Sequence, residues 1–430
     1  MKTFFKVVLV FLIVFNFRMP MVYNSVFLAM LLATVYYIIP RQKIPLTYFT
    51  AKYNALILFS TLIMAFIYYV YAGFHGQSDI VMVKRFLVQF QMLLTMVYIT
   101  PLLLDGEEES NAYNLACKYL AYAFAVQGVI HLTGYIYTPF GEWILSTKPP
   151  EVIARFNNAA SGLQRFRGYA LTGSLFFELP AAYGIAFIAF VRLMLSDAAK
   201  QIPRYMPYFV FFFLIVGIML SGRTGFIGVG IGIAFYFIFV KDPVSIIYNM
   251  AKRTLVIIPV LLIVFFFVLT PQKRKGFIDD VFPFAFEFMY RFSETGELGT
   301  RSTDATIAFY FPLNDDTLIY GIGADPQRVS SGYPFTDAGY MRTLIYGGVP
   351  LLIMLFIYQY LYFHTPLVYA RRERSWLDIL LFLSMFFCIS VYHIKDLALG
   401  TQHISEVQFL LLGFTYILSC ETSEEKRLPA

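Results

Sequence analysis

The residues able to do chemistry in this chain are a few charges set among apolar runs. They are Arg165 and Arg167 in Arg165-Phe166-Arg167-Gly168-Tyr169, Glu178 in the next apolar stretch, and Arg223 in Ser221-Gly222-Arg223-Thr224-Gly225. Arg301, Asp337 and Arg342 lie in or at the end of a long polar stretch, and His393, Lys395, Asp396 and His403 follow near the end. A guanidinium holds phosphate oxygens with a fork of donors and keeps its charge. Two apart on an extended segment, Arg165 and Arg167 are expected to point the same way; the competing use of both is headgroup anchoring or loop solvation. Arg223 sits in a Gly-flanked break between apolar runs, where a charge costs about 2.5 kcal/mol or more if it reaches mid-membrane. It is therefore expected to face a polar cavity or a partner, with Gly222 and Gly225 allowing close backbone approach and their amides opening the next helix as an anion site. Its ordinary alternative is an interfacial Arg beside a turn.

Glu178, expected about two turns into its helix, is an intramembrane carboxylate, either functional or an ion-pair partner of one of the arginines. Asp337 directly precedes an apolar helix, so it is read as an N-cap, as a proton acceptor for an attacking hydroxyl, or as both. Arg301 and Arg342 offer positive charge to a phosphorylated leaving group, although Arg342 could equally snorkel to the interface. His393, Lys395 and His403 are expected to line a site. No HExxH or CxxC spacing is present, and no metal or cofactor is expected.

The elements that must carry these residues are membrane helices. Of 430 residues 59% are hydrophobic, 19% aromatic and only 14% charged, against about a quarter charged in soluble domains. A span needs about 20 apolar residues. Twelve are expected: Thr3–Phe17, Val22–Ile39, Tyr53–Gly73, Phe86–Leu104, Ala112–Ile136, Leu171–Leu195, Tyr208–Leu220, Thr224–Val240, Thr254–Thr270, Ala338–Phe363, Trp376–Tyr392 and Gln402–Ser419. The first resembles a signal peptide with Lys2 and Lys6 but lacks a small-x-small cleavage site, so it is read as a retained helix. Nine spans thus occupy residues 1–270, a large loop 271–336, three spans 337–420 and a tail 421–430. Basic residues in short loops (Arg41, Lys43, Lys52; Arg192, Lys200, Arg204; Lys241, Lys252, Arg253; Arg371, Arg372, Arg374) place both termini inside and the large loop outside. The modest net charge of +6 belongs to this orientation signal and not to nucleic-acid binding. Cys117, Cys388 and Cys420 show neither metal spacing nor a disulfide framework. The large loop is too long to be structureless without a task, and its patches Val281–Phe292 and Ala305–Phe311 read as short interfacial helices.

The many-helix plan, RFRGY…GSLFFELP, SGRTGFIGVGIG at a helix break, and the loop exit GIGADPQRVSSGYPFTDAGYMRTLIYGGVPLL together resemble the Wzy-type O-antigen polymerases, within the O-antigen ligase/polymerase group of bacterial envelope proteins. The loop exit is similar to that group's G-x-G … D-x-G-Y-x-R/L-x-L-x-x-G-G pattern. The resemblance implies an all-α, GT-C-like, metal-independent membrane glycosyltransferase of the bacterial inner membrane with its site facing the periplasm. It implies a glycan on undecaprenyl pyrophosphate as donor and a repeat unit on the same lipid as acceptor, in a bilayer shared with a flippase and a chain-length regulator. Undecaprenyl pyrophosphate is then released, with Arg167, Arg223, Arg301 and Arg342 stabilising the pyrophosphate and Asp337 near the acceptor. Asp337 stands where the ligase branch typically carries His. That favours the polymerase, but it weakens the base assignment, because an Asp among arginines is made less basic. The rivals are an O-antigen ligase with a lipid A–core acceptor, a flippase or transporter, which would show internal repeats and no large outer loop, and a non-enzymatic scaffold.

Overall fold

The computed structural model describes residues 3–19, 23–38, 48, 51–78, 80–104, 109–158, 165–173, 177–239, 269–297, 299–327, 333–372, 375–399 and 407–413. These residues are mostly helical, and the β-structure among them is one antiparallel pair, Arg18–Met19 with Tyr23–Asn24. Among the described residues six helices are long and apolar enough to cross a membrane: Lys52–Phe74, Val81–Leu104, Tyr113–Ile136, Glu178–Leu195, Gly339–Arg372 and Trp376–Lys395. Four expected spans form shorter apolar helices: Thr3–Phe15, Ser25–Ile38, Met206–Ser221 and Gly225–Phe239. At 1.5 Å per residue the described lengths of these four fall short of a hydrocarbon thickness of about 30 Å. The expected span Thr254–Thr270 lies almost wholly outside the described residues, and of Gln402–Ser419 residues 407–413 are described, as helix; His403, Cys420 and the loop basics Arg41, Lys43, Lys241, Lys252, Arg253 and Arg374 lie outside them. Large apolar side chains such as Phe59, Phe66, Ile353 and Phe356 stand exposed along the long helices, a surface suited to lipid and not to water.

The chain divides into two compact units, Met1–Leu120 with Thr300–Ala430, and Ala121–Gly299. The polar stretch 271–336 is therefore shared, its first part belonging to the internal unit and its second to the unit formed by the chain ends.

In the unit formed by the chain ends, helices Lys52–Phe74, Val81–Leu104, Gly339–Arg372 and Trp376–Lys395 pack around aromatic and hydroxyl groups. Tyr68 stacks on Phe86 at 5.1 Å and tilts against Tyr346 at 4.9 Å. The Tyr362 hydroxyl receives Gln89 Nε2 at 3.0 Å and Gln408 Nε2 at 3.2 Å, and it lies 3.0 Å from the Tyr358 hydroxyl. With no water in hydrocarbon, such polar groups must satisfy each other, which ties the helices together.

The helix Gly339–Arg372 is two helices joined at Gly347 and Gly348. Pro350 has no N–H to give to the carbonyl four residues earlier, that of Tyr346. That carbonyl instead accepts from Gly323 N at 2.9 Å, and Ile345 O accepts from Ile322 N at 2.8 Å. The Gly321-Ile322-Gly323 segment thus docks on the break through two consecutive amides. Gly348 has φ +65°, and a Cβ there would lie 2.4 Å from Ile319 O. The paired glycine patterns at the loop exit are two halves of one joint.

In the internal unit, helix Gly225–Phe239 lies against Glu178–Leu195 so closely that a Cβ on Gly228 would fall 2.4 Å from the Gly184 Cα, the close approach that small residues permit between membrane helices. Tyr135, Leu145, Phe156, Phe166, Tyr169, Leu220, Leu269 and Val281 form a core around the Arg165–Tyr169 turn.

Two features differ from the sequence reading. Arg165–Tyr169 is a 3₁₀ turn and not an extended segment, so the alternation argument for Arg165 and Arg167 fails, three residues completing a turn there. Glu178 is the first residue of its helix and not two turns inside it, because residues 171–173 form a bend. Pro180 suits this start, since the first turn needs no proline N–H.

Candidate functional site

The internal unit brings the RFRGY and SGRTG motifs together. Arg167 Nε donates to Ser221 O at 2.7 Å, so the guanidinium lies against the corner that ends helix Met206–Ser221. The corner itself turns on Gly222, whose φ is +153°; a Cβ there would meet Pro180 Cγ at 3.1 Å and Arg167 Nη2 at 3.2 Å. The next residue, Arg223, projects back over the ring of Phe284, its guanidinium carbon 4.9 Å from the centroid, and the Arg167 guanidinium carbon lies 5.2 Å from the same centroid. One aromatic ring therefore serves two cations, an attraction that strengthens as water is excluded. Arg223 also forms an ion pair with Glu287.

The electrostatics follow from this crowding. Burial, together with the neighbouring Arg223 charge, pushes Arg167 down to about 10, and burial lowers Arg223. Two guanidinium groups on one ring repel, and an added polyanion would relieve that repulsion. Behind them, the buried Lys148 amine donates to Ala170 O at 3.0 Å and Thr172 O at 2.9 Å, and burial pushes it down to about 7. His131 Nε2 lies 2.9 Å from Phe166 O. Lys148 and His131 thus hold the chain on either side of Arg167. For Arg165 the structure describes the backbone of the turn and not the side chain. Glu178 is half-buried at the head of its helix.

The unit formed by the chain ends holds the other candidates. Arg342 is deeply buried; Nε and Nη2 reach the two carboxylate oxygens of Asp325 at 3.2 and 2.7 Å, and Nη1 reaches Asp396 Oδ1 at 3.1 Å. It does not snorkel, and its charge is already met by two carboxylates. Asp337 is half-buried and accepts a hydrogen bond from Gln327 Nε2. It stands two residues before the helix, and Ala338 O takes the first helical bond, from Arg342 N at 2.8 Å, so Ala338 and not Asp337 occupies the cap position. His393 is buried, stacked on Tyr340 at 5.3 Å, with the amides of Ala398 and Leu399 each 3.3 Å from a ring nitrogen. It shapes the chain reversal after its helix. Lys395 is half-buried in the last turn of that helix, and Arg301 is exposed at the start of helix Arg301–Ala308.

Asp325, Gln327, Lys148, Phe284 and Glu287 were not singled out by the sequence reading. Among the described residues no group of three His, Cys, Asp or Glu side chains converges as metal ligands would. Compared with protein families, curated proteins and solved structures, the chain finds no match.

Chemically, the Arg167–Arg223–Phe284 corner can bind a polyanion such as a pyrophosphate. The Asp325–Arg342–Asp396 cluster is a saturated brace that fixes the loop ahead of helix Gly339–Arg372.

Proposed function

We propose that this chain is a membrane glycosyltransferase of the Wzy polymerase type, working on glycans carried by undecaprenyl pyrophosphate. The observation that carries the reading is the convergence of Arg167 and Arg223 on Phe284, because it joins two motifs of the resemblance into one polyanion-binding corner. In the reaction the acceptor sugar hydroxyl attacks the anomeric carbon of the donor glycan. The bond from that carbon to the pyrophosphate oxygen breaks, and the hydroxyl proton passes to a base. Guanidinium groups that stay charged stabilise the leaving pyrophosphate. The sequence-based candidate for the base is Asp337. The same reading places the protein in the bacterial inner membrane, both termini inside, with chemistry on the periplasmic face.

Deletion followed by analysis of surface glycan length tests the function. A polymerase deletion leaves a single capped repeat unit on the surface. Loss of all attached glycan with accumulation of long lipid-linked chains would identify a ligase instead, and single units held on the cytoplasmic side would identify a flippase. If Arg223→Ala and Asp337→Ala both leave chain length unchanged while the protein is present in the membrane, the site assignment falls.

A further inference from the structure

We infer that Glu287 is a displaceable internal counter-ion, and that diphosphate binding at Arg167 and Arg223 expels it and releases the helix Glu287–Thr295. The inference rests on the reading of that corner as a pyrophosphate site.

Three observations meet here. First, Glu287 pairs with Arg223, so a carboxylate already occupies the position on that guanidinium that an anionic oxygen would take. Second, both side chains stay partly accessible, 16% of Arg223 and 24% of Glu287, with the paired Nη1 itself covered. Third, the helix that carries Glu287 packs little against the protein: none of its residues is buried, and Phe288, Met289, Tyr290 and Phe292 are exposed, an apolar surface suited to lipid. Its start is tied to the corner by the Glu287–Arg223 pair and by Phe286, which packs on Phe226 at 5.8 Å and Phe282 at 4.7 Å. A segment with few buried apolar contacts opens at small free-energy cost.

Charge decides the exchange. One carboxylate brings one negative charge to a corner with two guanidinium groups, whereas a diphosphate brings at least two and can engage both. Once displaced, Glu287 keeps a favourable site, since it lies in the first turn of its own helix where the macrodipole favours an anion. With the closed form present, apparent affinity is the intrinsic affinity multiplied by the fraction of molecules in the open form. The empty corner is thereby kept from holding stray monoanions, and occupancy of the corner is reported by a moving segment.

The test uses the full-length protein in detergent, titrated with inorganic pyrophosphate by calorimetry. Wild type is expected to bind, Arg167→Gln/Arg223→Gln to lose binding, and Glu287→Gln to bind roughly tenfold more tightly. Glu287→Gln affinity equal to or weaker than wild type, with binding still dependent on the arginines, overturns the counter-ion and leaves the site reading standing. Binding in wild type that survives the double substitution, or no binding in either wild type or Glu287→Gln, overturns both. Hydrogen exchange on unmutated protein gives an independent reading: pyrophosphate should speed exchange in 287–295, and slowed or unchanged exchange with pyrophosphate bound sinks the inference.

Discussion

Arg342 and Asp325 form a two-point ion pair at 2.7 and 3.2 Å with each side chain only 1% exposed. Such a pair contributes less through its attraction than it would cost to break, since a lone buried charge is left behind. Arg342→Met and Asp325→Asn are each expected to destabilise by about 3–5 kcal/mol. Arg342→Lys should also fail, because a point charge cannot span both oxygens of Asp325 and reach Asp396. The double variant Arg342→Met/Asp325→Asn should recover part of the loss. Thermal unfolding in detergent reads all four, and a double-variant loss equal to the sum of the two single losses would contradict the pairing.

That pair also marks the limit of what the sequence discloses. Arg342 stands out as a charge beside an apolar run, but Asp325 is one acid among several in a polar loop, 17 positions away. Asp396 is 54 positions away in the other direction, read beside Lys395 as a solvated charge. Hydrophobic periodicity locates helices and says nothing about which loop acid folds onto which arginine. The same holds for Glu287 and Phe284, which meet Arg223 across about sixty residues. Helix existence was legible at Lys52–Phe74 and Trp376–Lys395, where long apolar runs leave no other solution in lipid. The start at Glu178 was not, because Leu171–Phe177 is as apolar as the helix itself and the bend depends on tertiary packing. The glycine patterns were visible, whereas their meeting as a joint depends on the Tyr346 and Ile345 carbonyls left open by the break.

The joint itself is testable at Gly348. Alanine there meets both a left-handed φ of +65° and the Ile319 carbonyl. Strain of this kind costs on the order of 1–3 kcal/mol. Gly348→Ala should lower the unfolding temperature and loosen the 321–323 segment, seen as faster amide exchange at Ile322 and Gly323. Gly230→Ala, where an added Cβ meets nothing within 4 Å, should be neutral or slightly stabilising. Equal behaviour of the two variants would remove the joint from the account.

Lys148 makes a pH prediction. Burial pushes its amine down to about 7, below the ordinary lysine value of 10.5. Between those values the unfolded chain holds a proton that the folded protein has released. Stability therefore rises with pH across that window, by at most about 1.4 kcal/mol per pH unit from this group. The contribution is absent below pH 7, where both states are protonated. Wild type and Lys148→Met compared from pH 7.5 to 9.5 should differ in slope, the variant being flatter, with the range kept below Arg167 at about 10. Parallel slopes would mean that the amine stays charged.

The last prediction concerns the chemistry of the corner rather than its charge count. Arg167 uses Nε on Ser221 O and keeps its planar group near Phe284, so a lysine at 167 preserves charge and loses both contacts. A charge-assisted hydrogen bond is worth about 1.5–3 kcal/mol, which corresponds to a roughly ten- to hundredfold loss in rate if it acts in the transition state. Arg167→Lys and Arg223→Lys should shorten surface glycan in cells that make normal amounts of membrane-inserted protein. Phe284→Leu keeps apolar bulk and removes only the ring face, worth about 0.5–2 kcal/mol, so its defect should be milder than either. A lysine variant with full-length glycan would show that positive charge alone suffices, and the planar fork would then have no part in recognition.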